Sequence, residues 1–574
     1  MPYAPEHWPT LPAMMLSRAA QWADRPLFRY WHGGAWRSLK WGDFALQTAS
    51  VAAFLRARGI GPGDRVLLVS ENRPEFPIAD TAIMAIGAIT VPTYTTNLPG
   101  DHAHILRDSG ARVAIVSTRK LAERVLEGAA LADGLDLLIC VEEPPSAAGL
   151  TGHRWEEAIA TPGDVAMLAA ETAAMPTDSL ACLIYTSGTG GLPKGVMLPH
   201  RALLANRAGV VPLVKRLGIE GRPYLSFLPL SHAYEHTVGG FLLPSAGLEV
   251  VYSRGADRLS HELAEIKPAI LTAVPRLFEL LRARILAGLE KETPFKRSLF
   301  DKALALGLRK MDGPPLNLFE KVQDRVLDRL VRQKMRDRFG GQLRAMVSGG
   351  ARLDPDLSGF FIALGLPVIQ GYGQTEAGPV ISVNLPWANR RHTVGPPLRG
   401  VECRIAEDGE VLVRGDLVMT GYWNNPEATA AALQTSPGEE QPWLHTGDVG
   451  VIEDGSLRIT DRKRDFIKTL GGDMVSPAKV ECLLMAEPEI HQALVAGEGK
   501  AALVALLVPA DGMAEKVGDA VRRVNAKLPT IERIRHFSAT EAFTIENGLL
   551  TPTMKVKRRA VIEARGAEVE GMYR

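Results

Sequence analysis

Residues 185 to 195 read YTSGTGGLPKG, with four glycines, three small hydroxyls and one lysine within eleven positions. Such a stretch hides little of its backbone N–H behind side chains, so an anion can approach closely, and Lys194 brings the counter-charge. The chemistry this predicts is phosphate binding. The loop is not the G-x-x-x-x-G-K-[ST] type, because Lys194 lies between Pro193 and Gly195, and G-x-G-x-x-G fails at Pro193.

Three more stretches add to it. In QGYGQTEAGP (370–379) an aromatic sits between glycines, which suits stacking on a planar base, and Gly371 and Gly373 are expected to turn the backbone sharply round Tyr372. Thr375 and Glu376 put a hydroxyl beside a carboxylate, which suits phosphate plus Mg²⁺. SGGA (348–351) is a small-residue turn where a flat ring could rest on bare backbone. WLHTGD (443–448) places Asp448 after a glycine, expected in a turn, where a carboxylate can accept vicinal hydroxyls. Taken singly, each has an ordinary explanation: a loop with a core tyrosine, a tight turn, an aspartate closing its own turn.

The elements that must position these residues alternate. Short apolar runs, RVLLVS (65–70), ARVAIVS (111–117), LACLIYTS (180–187), AILTAVP (269–275), LRAMVSGG (343–350) and PVIQGYG (367–373), are separated by helical patterns such as 41–59. Strand, helix, strand with turn residues at the switches predicts layered α/β sheets, largely parallel. From about 401 to 459 the pattern shifts to short strands with tight turns, EDGE (407–410) being a hairpin signal. The predicted fold class is therefore α/β: a large unit of layered sheets over 1–460, its β-rich subdomain at about 395–460, and a smaller α+β unit over 466–574. A charged hinge at 461–465 joins the two, and AALVALLVP (501–509) is a strand of the small unit.

At 574 residues, 46% apolar, 23% charged and net charge +1, the chain reads as an ordinary multidomain globular protein, without the basic excess of a nucleic-acid binder. The four cysteines have no metal-ligand spacing and read as free thiols of a reducing compartment. No signal peptide or membrane-spanning run is evident, so a cytoplasmic location is expected. Between 286 and 338, thirteen Lys/Arg stand against eight Asp/Glu, with Val322, Val326, Leu327, Leu330, Val331 and Met335 at helical spacing. Such a helix suits peripheral contact with an anionic membrane, on the inner face, although most helices of this kind are solvated surface helices packed on their own domain.

Together and in this order, the four motifs resemble those of the adenylate-forming superfamily of acyl-CoA synthetases, luciferases and adenylation domains, from GIGPGDRVLLVSENRPEF to LTPTMKVKR (549–557). The resemblance implies that Thr186, Ser187, Gly188, Thr189, Gly190, Gly191 and Lys194 hold the β- and γ-phosphates of ATP. It implies that Tyr372, between Gly371 and Gly373, stacks on adenine lined by Gly350 and Ala351. Thr375 is then the α-phosphate contact, Glu376 with Thr189 the Mg²⁺ position, Asp448 the ribose acceptor and Arg462 a nucleotide contact. Arg464 matches the hinge position, where many relatives have Lys or Asp. Lys555 matches the C-terminal lysine that assists adenylation, and rotation about Arg464 would exchange it for Lys468 and the Gly471-Gly472 turn. Gly190 departs from the usual Thr and costs the loop one hydroxyl.

LPLSHAYEH (228–236), with His232 beside the acyl pocket, VPRLFELL (274–281) and KTLGGDMVSPAKVE (468–481) resemble the long-chain fatty acid CoA ligase subgroup. The implied reaction joins a long-chain fatty acid to AMP, releasing pyrophosphate, then passes the acyl group to coenzyme A. The alternatives are a ligase for a medium-chain, shorter or aromatic acid, a fatty acyl-AMP ligase that does not use CoA, a peptide-synthetase adenylation module, and a non-catalytic acyl- or nucleotide-binding protein. The last would be expected to have lost Lys194, Glu376 or Lys555, which are intact. Monomer and homodimer are both open.

Overall fold

The computed structural model describes residues 6–132, 134–146, 149–186, 192–255, 257–463, 466–470, 474–551 and 556–573. Each predicted run becomes a strand. Two eight-stranded sheets dominate. The first contains six parallel strands, in spatial order Val368–Gly373, Ala345–Ser348, Ile270–Ala273, Pro223–Ser226, Glu249–Tyr252 and Pro26–His32, with one antiparallel strand at each edge. The second has six parallel strands led by Leu180–Thr186, with Ile89–Thr93, Arg65–Val69 and Val113–Val116 at its centre. Its antiparallel edge is made by Lys194–Pro199 and Gly421–Tyr422.

Strands covered on both faces need continuous apolar runs, as RVLLV and VAIV are. The covering helices follow the same rule. Trp41–Arg56 buries Trp41, Phe44, Phe54 and Leu55, and all but the first residue of Glu75–Ala85 are buried. Removing a ring such as Phe44 would cost about 3–5 kcal/mol.

The β-rich part is a five-stranded antiparallel sheet of Glu402–Ile405, Glu410–Arg414, Trp443–Glu453, Leu433–Gln434 and Ser456–Arg462. EDGE forms its hairpin, with Gly409 at φ +82°. Beyond it, Ile490–Ala496, Leu503–Pro509 and Ile534–Ala539 form a three-stranded sheet. Helices Pro477–Met485 and Val517–Ala526 pack on that sheet, and the segment from 467 to 569 closes its own apolar clusters.

The insert at 286–338 is a helical hairpin. Pro294–Asp312 is followed by a helix that runs from Leu318 to Arg338 with a π-turn at Asp328–Arg332. Of the residues at helical spacing, Leu327 and Met335 are buried and Val331 is half-buried, whereas Val322, Val326 and Leu330 are exposed.

Candidate active site

The Gly-rich segment is the connection of a hairpin. Leu180–Thr186 and Lys194–Pro199 pair antiparallel, and Thr186 lies directly across from Lys194. The strands on either side of the glycine run therefore end side by side, with Lys194 at the first position of the second. Ser187, Gly188, Thr189, Gly190 and Gly191 lie outside the described residues, as do Arg464, Gly471, Gly472 and Lys555. Around the base, Tyr185 donates to Asp108 at 2.6 Å and His104 Nε2 meets the Pro193 carbonyl at 2.8 Å.

A cavity of about 3890 Å³ opens at the C-terminal ends of the parallel strands, the usual ligand position in open α/β sheets. Thr186, Lys194, His232, Gly350, Ala351, Gly371, Tyr372, Gly373, Thr375, Glu376, Asp448 and Arg462 all line it. Lys468 does not. It is exposed on the short strand Ile467–Lys468, where its N–H donates to Glu498 at 3.0 Å. Thr551 and Lys557, on either side of the segment holding Lys555, do face the cavity.

Two local expectations are corrected. Gly371 and Gly373 do not turn the chain; they belong to the strand Val368–Gly373, and the turn comes later, at Thr375–Ala377 and Gly378. Their role is close approach. A Cβ at Gly373 would lie 1.8 Å from the Pro379 carbonyl oxygen, and one at Gly371 would lie 3.3 Å from that of Ser382. Asp448 is likewise not in a turn but within the eleven-residue strand Trp443–Glu453. Pairing with the neighbouring strand slips from Leu412↔His445 to Glu410↔Val449, so residues 446–448 form a bulge that Gly447 enters at φ +71°. The extra residues re-aim the Asp448 side chain into the cavity.

Tyr372 donates its hydroxyl to Asp448 Oδ2 at 2.7 Å, and Arg462 Nε lies 3.2 Å from Oδ1. Burial, and then the Asp448 carboxylate, push the Tyr372 phenol well above its ordinary range, so it acts as the donor. Glu410 holds the bulge. It accepts from Gly447 N–H at 2.8 Å and from Lys463 at 3.1 Å, and its pKa is lowered because these donors and His445 outweigh a desolvation cost that is the largest single influence.

At the base of the Gly-rich hairpin, Tyr422 donates to Glu376 Oε1 at 2.8 Å, and Lys194 Nζ stands 5.0 Å from the Tyr422 ring centroid. The segment around Tyr422 stitches the two motifs together. Met419 N–H donates to Glu376 O at 2.9 Å and Trp423 N–H to Gly195 O at 2.7 Å.

His232 caps the short helix Ala233–Thr237, its Nδ1 accepting Tyr234 N–H at 3.2 Å. The Tyr234 ring packs on Gly349, where a Cβ would sit 3.0 Å away, so that side of SGGA holds a protein ring while Gly350 and Ala351 face the cavity. The helix is anchored from beneath. Glu235, fully buried, accepts from Ser226 at 2.6 Å, Tyr224 at 2.7 Å and Thr272 at 3.1 Å, and desolvation raises its pKa to about 7 against those three hydroxyls. His236 Nε2 lies 2.9 Å from the buried Asp80. Tyr422, Glu410 and Glu235 were not singled out from the sequence. GYWNNP and SHAYEH carry two of them, but their partners lie 46, 35 and 11 residues away or nearer only in space.

With this geometry in place, comparison with known proteins is direct. The family model "AMP-binding enzyme" matches residues 16–423, and "AMP-binding enzyme C-terminal domain" matches 464–574. The chain belongs to the AMP-binding enzyme family. Among curated members, this AMP-binding enzyme is 34% identical to "Long-chain-fatty-acid–CoA ligase FadD15" of Mycobacterium tuberculosis, over 98% of this chain and 96% of that one. It is 29% identical to human "Long-chain-fatty-acid–CoA ligase 6", over 88% and 78%. Among solved structures, the anthranilate CoA ligase AuaEII bound to anthranoyl-AMP shares the fold at TM-score 0.73 and 21% identity, covering 99% of each chain. The AMP-binding enzyme fold therefore extends over essentially the whole chain.

Proposed function

We propose that this enzyme activates a long-chain fatty acid with ATP to acyl-AMP, releasing pyrophosphate, and transfers the acyl group to coenzyme A. The observation that carries this reading is convergence. Lys194 and Glu376 sit at one part of a cavity whose other parts hold Tyr372 and Asp448 and the apolar side of helix His200–Leu217, with Val210, Leu213, Val214 and Leu217. The near-full-length likeness to ligases named for long-chain fatty acids supports the same substrate class.

A carboxylate is a weak nucleophile facing a polyanion, so phosphate charge must be offset and the attack aligned on the α-phosphorus. Lys194 supplies fixed positive charge where pyrophosphate departs, and Thr375 lies beside Glu376 to meet the α-phosphate. Tyr372 and Asp448 keep the AMP half in place. Among the described residues no group of three or more His, Cys, Asp or Glu could hold a metal alone. A single carboxylate, Glu376, fits Mg²⁺ that arrives with phosphate oxygens as most of its ligands, and when bound the ion neutralises phosphate charge. The division into 1–460, a hinge at 461–465 and 466–574, with Lys555 and Lys468 exchanging by rotation about Arg464, belongs to this reading, as do a cytoplasmic location and peripheral membrane contact through 286–338.

The test is a chain-length panel. Pyrophosphate release from ATP should require a fatty acid and be greatest with long chains, and acyl-CoA should form once CoA is added. Absence of acid-dependent release across the panel would sink the reading. Preference for an aromatic acid, or release without thioester formation, would transfer it to one of the related activities.

A further inference from the structure

The helix from Leu318 to Arg338 divides its residues unusually cleanly. Its inward side is packed, with Leu327 at 2% and Met335 at 5% exposure. Its outward side is apolar: Leu318 is 82% exposed, Phe319 77%, Val322 58%, Val326 51% and Leu330 45%. The spacing of four places 318, 322, 326 and 330 in one stripe. Isolated exposed apolar residues are ordinary, but a continuous stripe that includes a phenylalanine is a contact surface.

Charge decides what it contacts. Three of the four acids of this helix are turned towards bases of the same hairpin: Glu320 pairs with Arg309, Asp324 with Lys310 at 3.0 Å and Arg332 at 2.7 Å, and Asp328 with Arg336 at 2.8 Å. The fourth, Asp337, lies beyond the stripe and accepts from Gln333 at 2.8 Å. Lys321, Arg325 and Arg329, each one position before a stripe residue, are exposed and make no ion pair among the described residues. Over 318–330 the outward face is thus apolar with a cationic border and its acids withdrawn. No helix of the described residues is long and apolar enough to cross a membrane. The geometry points to this face as a docking surface for an anionic lipid bilayer, lying in the headgroup plane with Phe319 and its neighbours inserted and the three bases on lipid phosphates. This rests on the fatty-acid reading only for its purpose, since a long-chain acid partitions into bilayers. Helix Pro275–Glu290, which precedes the hairpin in the chain, gives Arg276, Leu280 and Arg284 to the wall of the cavity.

The experiment is co-sedimentation of the full chain with phosphatidylcholine vesicles with and without phosphatidylglycerol. Wild type should bind the anionic vesicles and lose them at high salt. Neutralising all three bases (Lys321→Gln, Arg325→Gln, Arg329→Gln) should lower the partition coefficient by roughly two orders of magnitude, each base near an anionic surface being worth about fivefold. Leu318→Ser with Phe319→Ser should also release the protein. Both variants alter only exposed side chains and should keep wild-type circular dichroism and fatty-acid-dependent pyrophosphate release in vesicle-free buffer. Equal binding to neutral and anionic vesicles, or unchanged binding by both variants, would overturn the inference. So would sedimentation equilibrium showing a dimer that the same substitutions dissociate, which would assign the face to a second copy. Vesicle binding by a protein without acid-dependent release would leave this surface standing and remove the fatty-acid reading instead.

Discussion

Glu235→Gln probes the buried carboxyl beneath the short helix that carries His232 and Tyr234. Glu235 is fully buried, and no cation is among the influences on its ionisation; desolvation outweighs the Ser226, Tyr224 and Thr272 hydroxyls and lifts its pKa from 4.5 to about 7. Packing leaves no slack, since a Cβ at Gly239 would lie 2.1 Å from Glu235 Oε1. The three hydroxyls can donate to a carboxylate or accept from a carboxyl, so the network is satisfied in either state and burial decides between them. At about 1.4 kcal/mol per pH unit, the difference amounts to roughly 3 kcal/mol in favour of the protonated folded form. The pKa is raised on folding, so this contribution is complete below about 4.5 and is lost as pH rises through about 7. An amide cannot ionise. Urea unfolding of wild type and Glu235→Gln, followed by tryptophan fluorescence between pH 5 and 8, isolates the group, because other titrations cancel in the difference. The variant should gain roughly 2 to 3 kcal/mol on wild type across that range, since part of the full difference is already lost at pH 5. A difference that does not change with pH would refute the argument that burial keeps Glu235 protonated.

Lys194→Ala should lower acid-dependent pyrophosphate release by about two to three orders of magnitude, the usual effect of removing a group aimed at developing charge, with Lys194→Arg restoring part of it in the same assay. Tyr422→Phe takes away the donor 2.8 Å from Glu376 and should cost about 1.5 kcal/mol or more, read as at least a tenfold fall in kcat/KM for ATP and a higher Mg²⁺ requirement. Lys555→Ala should slow adenylation far more than thioester formation from supplied acyl-adenylate; equal losses in both half-reactions would contradict rotation about Arg464.

Positions whose chemistry is local were readable along the chain. A glycine-hydroxyl-lysine hairpin, an aromatic flanked by glycines, a Thr-Glu pair and a run of apolar strands declare themselves within a few residues, because backbone freedom, side-chain charge and periodicity are properties of short segments. Arg65–Val69, Val113–Val116, Leu180–Thr186, Ile270–Ala273, Ala345–Ser348 and Val368–Gly373 fall within the predicted runs for the same reason, whereas Ile89–Thr93, Pro223–Ser226 and Glu249–Tyr252 of the same sheets lie outside them. Tertiary structure decided the rest. Glycines at 371 and 373 look the same in sequence whether they serve a turn or the close passage of Pro379 and Ser382. Asp448 reaches the cavity through a bulge that exists only because Glu410–Arg414 pairs beside it. Tyr422 meets Glu376, and Glu235 loses its water, through elements brought alongside from elsewhere in the chain. In the insert, periodicity determined that Val322, Val326 and Leu330 share a helix with Leu327 and Met335, but a helix does not know its neighbours. Only packing against Pro294–Asp312 and the first sheet buried the one set and left the other at the surface.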